Sequence, residues 1–177
     1  MPVRPYRFAA RWSLFVWIIT VGVIAGAILA VGAGLRFAGN ELPDGHVGQF
    51  AVLLGLVSFV VMVCVAVFFA PLAFSVYSQA VVVNRMGPDV VIACDSIREA
   101  TRIGPQEVGF PFRLGGSGGF FGVFGRFYSR PLGHYRAYTT NRTDLVLLTL
   151  TDGTNIVLSP GPADAFLDAL ARTRLSE

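Results

Sequence analysis

Two long uncharged runs constrain this chain more than any other feature of its sequence. Residues 12–35, WSLFVWIITVGVIAGAILAVGAGL, carry no charge over 24 positions. A helix of that length reaches roughly 36 Å, against about 30 Å for the hydrocarbon core of a bilayer. The run is too long for the core of a signal peptide, and a second run follows it, so a retained transmembrane helix is expected. Residues 36–46, RFAGNELPDGH, read as a short polar connector. From Val47 no charge appears until Arg85, 38 positions later, which is more than one straight helix needs. Pro71 is the natural break, because a proline disfavours helical geometry in the residue before it. The second helix is therefore expected over 47–70.

The composition agrees with a membrane protein: 54% of residues are hydrophobic and 14% charged, where a soluble domain carries about a quarter charged residues. Arginine placement sets an orientation. Residues 1–11 form a basic tail with Arg4, Arg7 and Arg11 and no acid, whereas the connector sets Arg36 against Glu41 and Asp44. The tail is expected on the cytoplasmic side, the 36–46 loop outside, and residues 72–177 back in the cytoplasm. The first span carries Gly22, Gly26, Ala30 and Gly34 at intervals of four, a helix-packing face where backbones approach closely. That face packs on the chain's own second span or on a second copy. Apart from Cys64, neither span holds an ionisable side chain, so an ion path made by this chain alone is not expected. A net charge of +3 is too weak to argue for nucleic acid. Cys64 and Cys94 form no CxxC pair, and reduced thiols are the simplest reading.

From Leu72 the pattern changes to short strands separated by turn signals. FSVYSQAVVV is the first, DVVIA the second and SIREATRI the third, with Ile97, Glu99, Thr101 and Ile103 on one face. HYRAYTT, DLVLLTL and TNIVLS follow. Asp152-Gly153 is expected to make a two-residue type I′ turn, with positive φ at both positions. Near the end Ala163, Phe166, Leu167 and Leu170 recur at helical spacing. Ser159 or Gly161 is the expected cap, Pro162 suits the first turn, and Asp168 and Arg172 form an i,i+4 pair. The expected fold is a transmembrane helical hairpin followed by a small barrel of about seven antiparallel strands, closed by one C-terminal helix.

Between these strands lies GGSGGFFGVFG, residues 115–125. A phosphate loop of the form GxxxxGK[ST] needs a lysine, and this chain has none. The dinucleotide pattern GxGxxG fails as well, because from Gly116 its sixth position is Phe121. As a strand, the run puts Phe121, Val123 and Phe127 on one side and Phe120, Phe124 and Tyr128 on the other. As a helical turn, it gathers Phe120, Phe121, Phe124, Phe127 and Tyr128 on one stripe. The rings either pack inside the domain and against the base of the spans, or form a surface for lipid or a partner. For the second role the candidates are Phe120, Phe121, Phe124 and Phe127, with Arg113, Arg126 and Arg130 flanking them as cations for anionic headgroups.

Three stretches together carry a resemblance: FRLGGSGGFFGVFG, GHYRAYTTNR and VLLTLTDGTNIVLSPGPADAFLDAL. Through them residues 74–172 resemble the bacterial pleckstrin-homology-like (bacterial PH) domains attached to membrane helices. The resemblance implies a small β-barrel capped by a C-terminal helix and a role in interactions at membranes. It also implies a bacterial inner membrane location, here with both termini cytoplasmic. Eukaryotic namesakes bind phosphoinositides through a basic first hairpin. The matching VVVNRMGPDVV offers Arg85 alone, followed by Asp89, so inositol-lipid binding is not implied. His46 and His134 fall in different compartments, and Asp89, Asp95, Glu99 and Glu107 are scattered near turns. No catalytic residue, metal or cofactor is expected. The expected function is a membrane-anchored binding or scaffolding module whose partners are membrane lipids, a second copy or another membrane protein. The alternative is an accessory subunit of a larger membrane transporter or enzyme complex.

Overall fold

A computed structural model describes residues 6–40 and 45–175, with side chains for all of these except 37–40, 45–47, 49, 174 and 175. The chain begins with strand β1 (Tyr6–Ala9) and two long helices, α1 (Leu14–Asn40) and α2 (Gly45–Phe69). Strands β2 (Pro71–Val76), β3 (Ala80–Arg85) and β4 (Val90–Ala93) follow. After a 3-10 turn come β5 (Ile97–Ile103), the short helix α3 (Pro105–Val108), β6 (Phe112–Gly118) and β7 (Val123–Ser129). The last elements are β8 (Gly133–Thr139), β9 (Leu145–Leu150), β10 (Asn155–Leu158) and helix α4 (Ala163–Leu175).

Both long helices are apolar over most of their length, with segments of 23 and 20 residues at mean hydropathy 2.7 and 3.0, long enough to cross a bilayer. Ser13 starts α1 as its cap, its Oγ accepting from the Val16 N–H at 3.4 Å. The helix runs past the expected boundary at residue 35 because nothing before Pro43 opposes it. Residues 36–40 and 45–46 of the expected loop are helical, while residues 41–44, Glu41 and Asp44 included, and Arg4 lie outside the described residues. The side chain of His46 also lies outside them.

The basic tail of residues 1–11 is not a free tail in its described part. Tyr6–Ala9 form β1, which pairs antiparallel with β2, Tyr6 opposite Val76 and Ala9 opposite Ala73. A strand that precedes the helical hairpin therefore joins the strand that follows it. Arg11 and Ser13 extend this staple: the Thr140 hydroxyl donates to the Arg11 carbonyl at 2.9 Å, and the Ser13 N–H to the Thr140 carbonyl at 2.9 Å.

The strands form two sheets, β1-β2-β3-β4 and β5-β9-β10-β8-β7-β6. The expected capped barrel holds in outline, with nine strands after α2 among the described residues rather than about seven. The pairing is antiparallel except where β10 runs parallel to β8. The core lies between the sheets, with Phe74, Val76, Val81 and Val83 from one and Phe124, Val146, Leu148, Ile156 and Leu158 from the other. Ala163, Phe166 and Leu170 of α4 fill the same cluster. Residues on the other face of the six-stranded sheet, among them Ile103, Phe127, Tyr135, Leu145 and Val157, form a second cluster with Val108 and Leu132.

Five local expectations change. The stretch FSVYSQAVVV is a hairpin, β2 and β3, closed where the Tyr77 N–H bonds the Ala80 carbonyl at 2.8 Å. A bulge between Ile97 and Glu99 inverts the side-chain alternation of β5, so Ile97 enters the first cluster and Ile103 the second. The β9–β10 turn is a three-residue loop in which Gly153 takes a φ of 81° and Asp152 does not join it at positive φ. Its closing bonds are Leu150 N–H to the Thr154 carbonyl and Gly153 N–H to the Leu150 carbonyl. Ser159 does not cap α4, because its Oγ is buried and accepts from the Thr140 N–H at 2.8 Å. The ion pairs among the described residues join Arg102 to Asp144 at 3.2 Å and to Asp164 at 2.6 Å, and Asp168–Arg172 is not among them.

Candidate functional site

The glycine and phenylalanine run is a β-hairpin made of β6, a four-residue tip and β7. Gly116 and Gly125 sit opposite each other in its register, at φ 114° and 125°. A Cβ on Gly116 would overlap the Phe124 carbonyl oxygen, and one on Gly125 the Gly115 carbonyl oxygen. Only glycine satisfies both the dihedral and the approach. No helical turn forms here, and the strand geometry sends Phe124 to the first cluster and Phe127 to the second. Phe124 is 8% and Phe127 2% exposed. Phe127 is covered by the second cluster and is not a surface residue, whereas Phe124 packs on the first cluster with one edge left toward the space beside α2.

The tip rests on the base of α1. Phe121 takes a left-handed backbone at φ 57°, uncommon for a bulky side chain. Its N–H donates to Thr20 Oγ1 at 3.2 Å, and its ring meets Trp12 edge-on at 5.6 Å. The Gly119 backbone lies against Ile19 and Phe15, and Phe120 and Phe121 pack on the first cluster while half-buried. Thr20→Val is expected to cost about 1–3 kcal/mol by stranding the Phe121 N–H, while Thr20→Ser keeps the acceptor; thermal unfolding of the detergent-solubilised chain measures both.

The small-residue face of α1 divides. Gly34 lies against α2, where an added Cβ would come 2.9 Å from Val52 Cγ2. Gly22 and Gly26 have nothing within 4 Å of such a position, and Ala30 is exposed. Among the described residues, Gly34 is the glycine of this face that packs on the second span, because a four-residue interval drifts around a 3.6-residue turn.

The C-terminal end of α2 is capped by the β3–β4 hairpin. The Gly87 N–H donates to the Phe68 carbonyl at 2.9 Å, satisfying an acceptor that the helix leaves open. The Arg85 guanidinium donates from Nε to the Pro88 carbonyl at 2.9 Å, with a second bond from Nη2 to the same oxygen. It lies 5.6 Å from the Phe69 ring centroid and 5.9 Å from that of Tyr138.

A cavity of about 700 Å³ opens between this end of α2 and the β6–β7 hairpin. Its apolar wall includes Met62, Val65 and Phe69 of α2 and Phe120 and Phe124 of the hairpin. Its charged residues are Arg85, Arg113 and Arg126, with no acid among the fifteen lining residues. Of the expected arginines, Arg113 and Arg126 thus meet at one site, and Arg130 stands apart in the turn after β7. Arg85 and the α2 residues were not legible as members, since nothing local links positions 62–69, 85 and 113–126.

A smaller cavity of about 320 Å³ adjoins it, sharing Leu114 and Arg126 and adding His134, Tyr135, Arg136 and Asp152. There the Thr154 backbone N–H and hydroxyl, with a smaller contribution from Arg136, hold the Asp152 carboxyl below its ordinary range. Burial raises the Tyr135 phenol above its usual value. Arg126 and Arg136 face each other across β7 and β8, a like-charge pair that opposes strand pairing unless an anion lies nearby.

No curated protein and no solved structure matches the chain. The family model of the bacterial PH domain matches residues 72–174, which takes in every strand from β3 to β10 and the closing helix up to its last residue. The chain belongs to the bacterial PH domain family.

Proposed function

We propose that this chain is a membrane-anchored binding module, in which two helices cross a bilayer and hold the PH domain against one of its faces. The observation that carries the reading is the β1–β2 pairing. It staples the strand before α1 to the strand after α2, so both ends of the helical hairpin meet in one sheet. Two crossings put both ends on one side of the bilayer, and this pairing is consistent with that. The helices also leave Leu14 75%, Ile28 67%, Leu29 73% and Phe50 67% exposed, an apolar surface too continuous for water and suited to lipid. Arg7, Arg11 and Arg85 lie on the domain side against Arg36 at the far end, which favours the cytoplasmic face. The mechanism is placement: confinement beside the bilayer raises the effective concentration of the domain for membrane-bound partners. Membership of the bacterial PH domain family favours a binding role over an enzymatic one.

The exposed Gly22, Gly26 and Ala30 face of α1 favours a second reading, docking on another membrane protein as an accessory subunit or on a second copy. One preparation tests both. The chain is expected to stay in the membrane pellet through an alkaline wash, with reporters fused at the two ends on the same, cytoplasmic side. Release by the wash, or reporters on opposite sides, overturns the anchored reading. After mild detergent extraction, a homo-oligomer favours the module and a stoichiometric complex with another protein favours the subunit.

A further inference from the structure

We propose that the cavity between α2 and the β6–β7 hairpin binds an anionic phospholipid from the bilayer, its phosphate held by Arg85, Arg113 and Arg126 and its upper acyl chain laid along α2. The proposal rests on the anchored reading above. Three observations carry it: the depth of the cavity, its charge and its apolar wall.

Depth comes first. The apolar segment of α2 runs from Phe50 to Phe69, so in a bilayer Phe69 marks the hydrocarbon boundary. Met62 lies seven residues deeper, about 10 Å along the helix axis. The cavity wall therefore follows the last two turns of the span. Arg85 stands over the Phe69 ring at 5.6 Å, at the level that lipid phosphates occupy.

Charge comes second. Arg113 and Arg126 are exposed, and neither has an ion-pair partner among the described residues. Arg85 is half-buried and held in place by the Pro88 carbonyl and the Phe69 and Tyr138 rings. Its neighbour Asp89 is engaged by Asn84 Nδ2 and by the Arg85 backbone N–H, not by the guanidinium. Arg126 also faces Arg136, whose acidic neighbour Asp152 lies in the adjoining cavity rather than in this one. Guanidinium groups present paired donors suited to phosphate oxygens.

The apolar wall decides which anion. Free phosphate satisfies the arginines but leaves Met62, Val65, Phe120 and Phe124 against water. A zwitterionic lipid covers the wall but brings its own cation beside three others. An anionic amphiphile satisfies both, and about 700 Å³ lies within the range of ligand pockets.

The test uses the full chain in mild detergent, titrated with phosphatidylglycerol or phosphatidylcholine and read by native mass spectrometry. Phosphatidylglycerol is expected to be retained at about tenfold lower concentration, the effect of one charge-assisted hydrogen bond. Arg113→Gln with Arg126→Gln, both at exposed positions, is expected to remove that preference. Arg98→Gln with Arg172→Gln, equal in charge and outside the cavity, keeps it. Val65→Trp fills the wall without changing charge and is expected to weaken retention. Equal retention of the two lipids, an equal loss in the Arg98 and Arg172 variant, unchanged retention by Val65→Trp, or displacement by millimolar inorganic phosphate each overturns the proposal. Failure of the anchored reading shows separately, as loss of the unmodified chain from the washed membrane pellet.

Discussion

Phe166→Ala is expected to destabilise the full chain by about 3–5 kcal/mol, the usual cost of emptying a large buried aromatic site. Phe166 is fully buried at 0% exposure, at the point where α4 closes the space between the two sheets. Its ring meets Phe8 of β1 edge-on at 5.5 Å. Truncating it therefore weakens the closing helix and the N-terminal staple together. Thermal unfolding of the detergent-solubilised chain measures the loss, with Asp168→Ala on the exposed side of the same helix as control, expected within about 0.5 kcal/mol of the parent. A loss under about 1 kcal/mol would show that β1 and α4 do not close one core.

Gly125→Ala is expected to cost about 3 kcal/mol or more, from a backbone region nearly closed to other residues and a clash with the opposite strand. The added Cβ would sit 2.8 Å from Gly116 Cα and overlap the Gly115 carbonyl oxygen. Gly116→Ala mirrors it, 2.8 Å from Gly125 Cα. Gly115→Ala is the internal control, because nothing lies within 4 Å of its Cβ position; it is expected within about 0.5 kcal/mol. Limited proteolysis of β6 and β7, alongside unfolding, reads the three variants. If Gly125→Ala and Gly115→Ala behave alike, the hairpin does not hold the register in which Gly116 faces Gly125. The same variants bear on the cavity, since the Gly115–Gly116 and Gly125 backbone forms part of its wall.

The glycine and phenylalanine run shows where a sequence reading stops. It is too rich in rings for a linker and lacks the lysine of a phosphate loop, and both exclusions follow from residue identities alone. Which rings are covered does not, because Phe120, Phe121, Phe124 and Phe127 make both faces of the strand apolar. Periodicity identifies a buried face only by contrast with a polar one. Here Phe124 and Phe127 are packed on two different clusters, while Phe121 meets Thr20 of α1 and Phe120 lines the cavity beside α2. Arg113 and Arg126 were legible as cations beside the run. Arg85, 28 positions before Arg113, joins them only because the β3–β4 hairpin caps α2 beside β6 and β7.

Properties that reside in one segment were determined by the sequence. Two uncharged runs define two spanning-length helices, since a run's length and polarity need no partner to be read. The period of residues 163–170 defines α4, and the combination of glycine, aromatic and turn signals identifies the family. Properties that reside in pairings between distant segments were decided by the tertiary structure. Residues 6–9 carry too little pattern to announce a strand, and become one because β2 offers an open edge. The bulge in β5 sends Ile97 and Ile103 to opposite faces, an inversion set by the register against β9. The cavity needs four separate stretches of chain to meet, and local composition carries no information about that meeting.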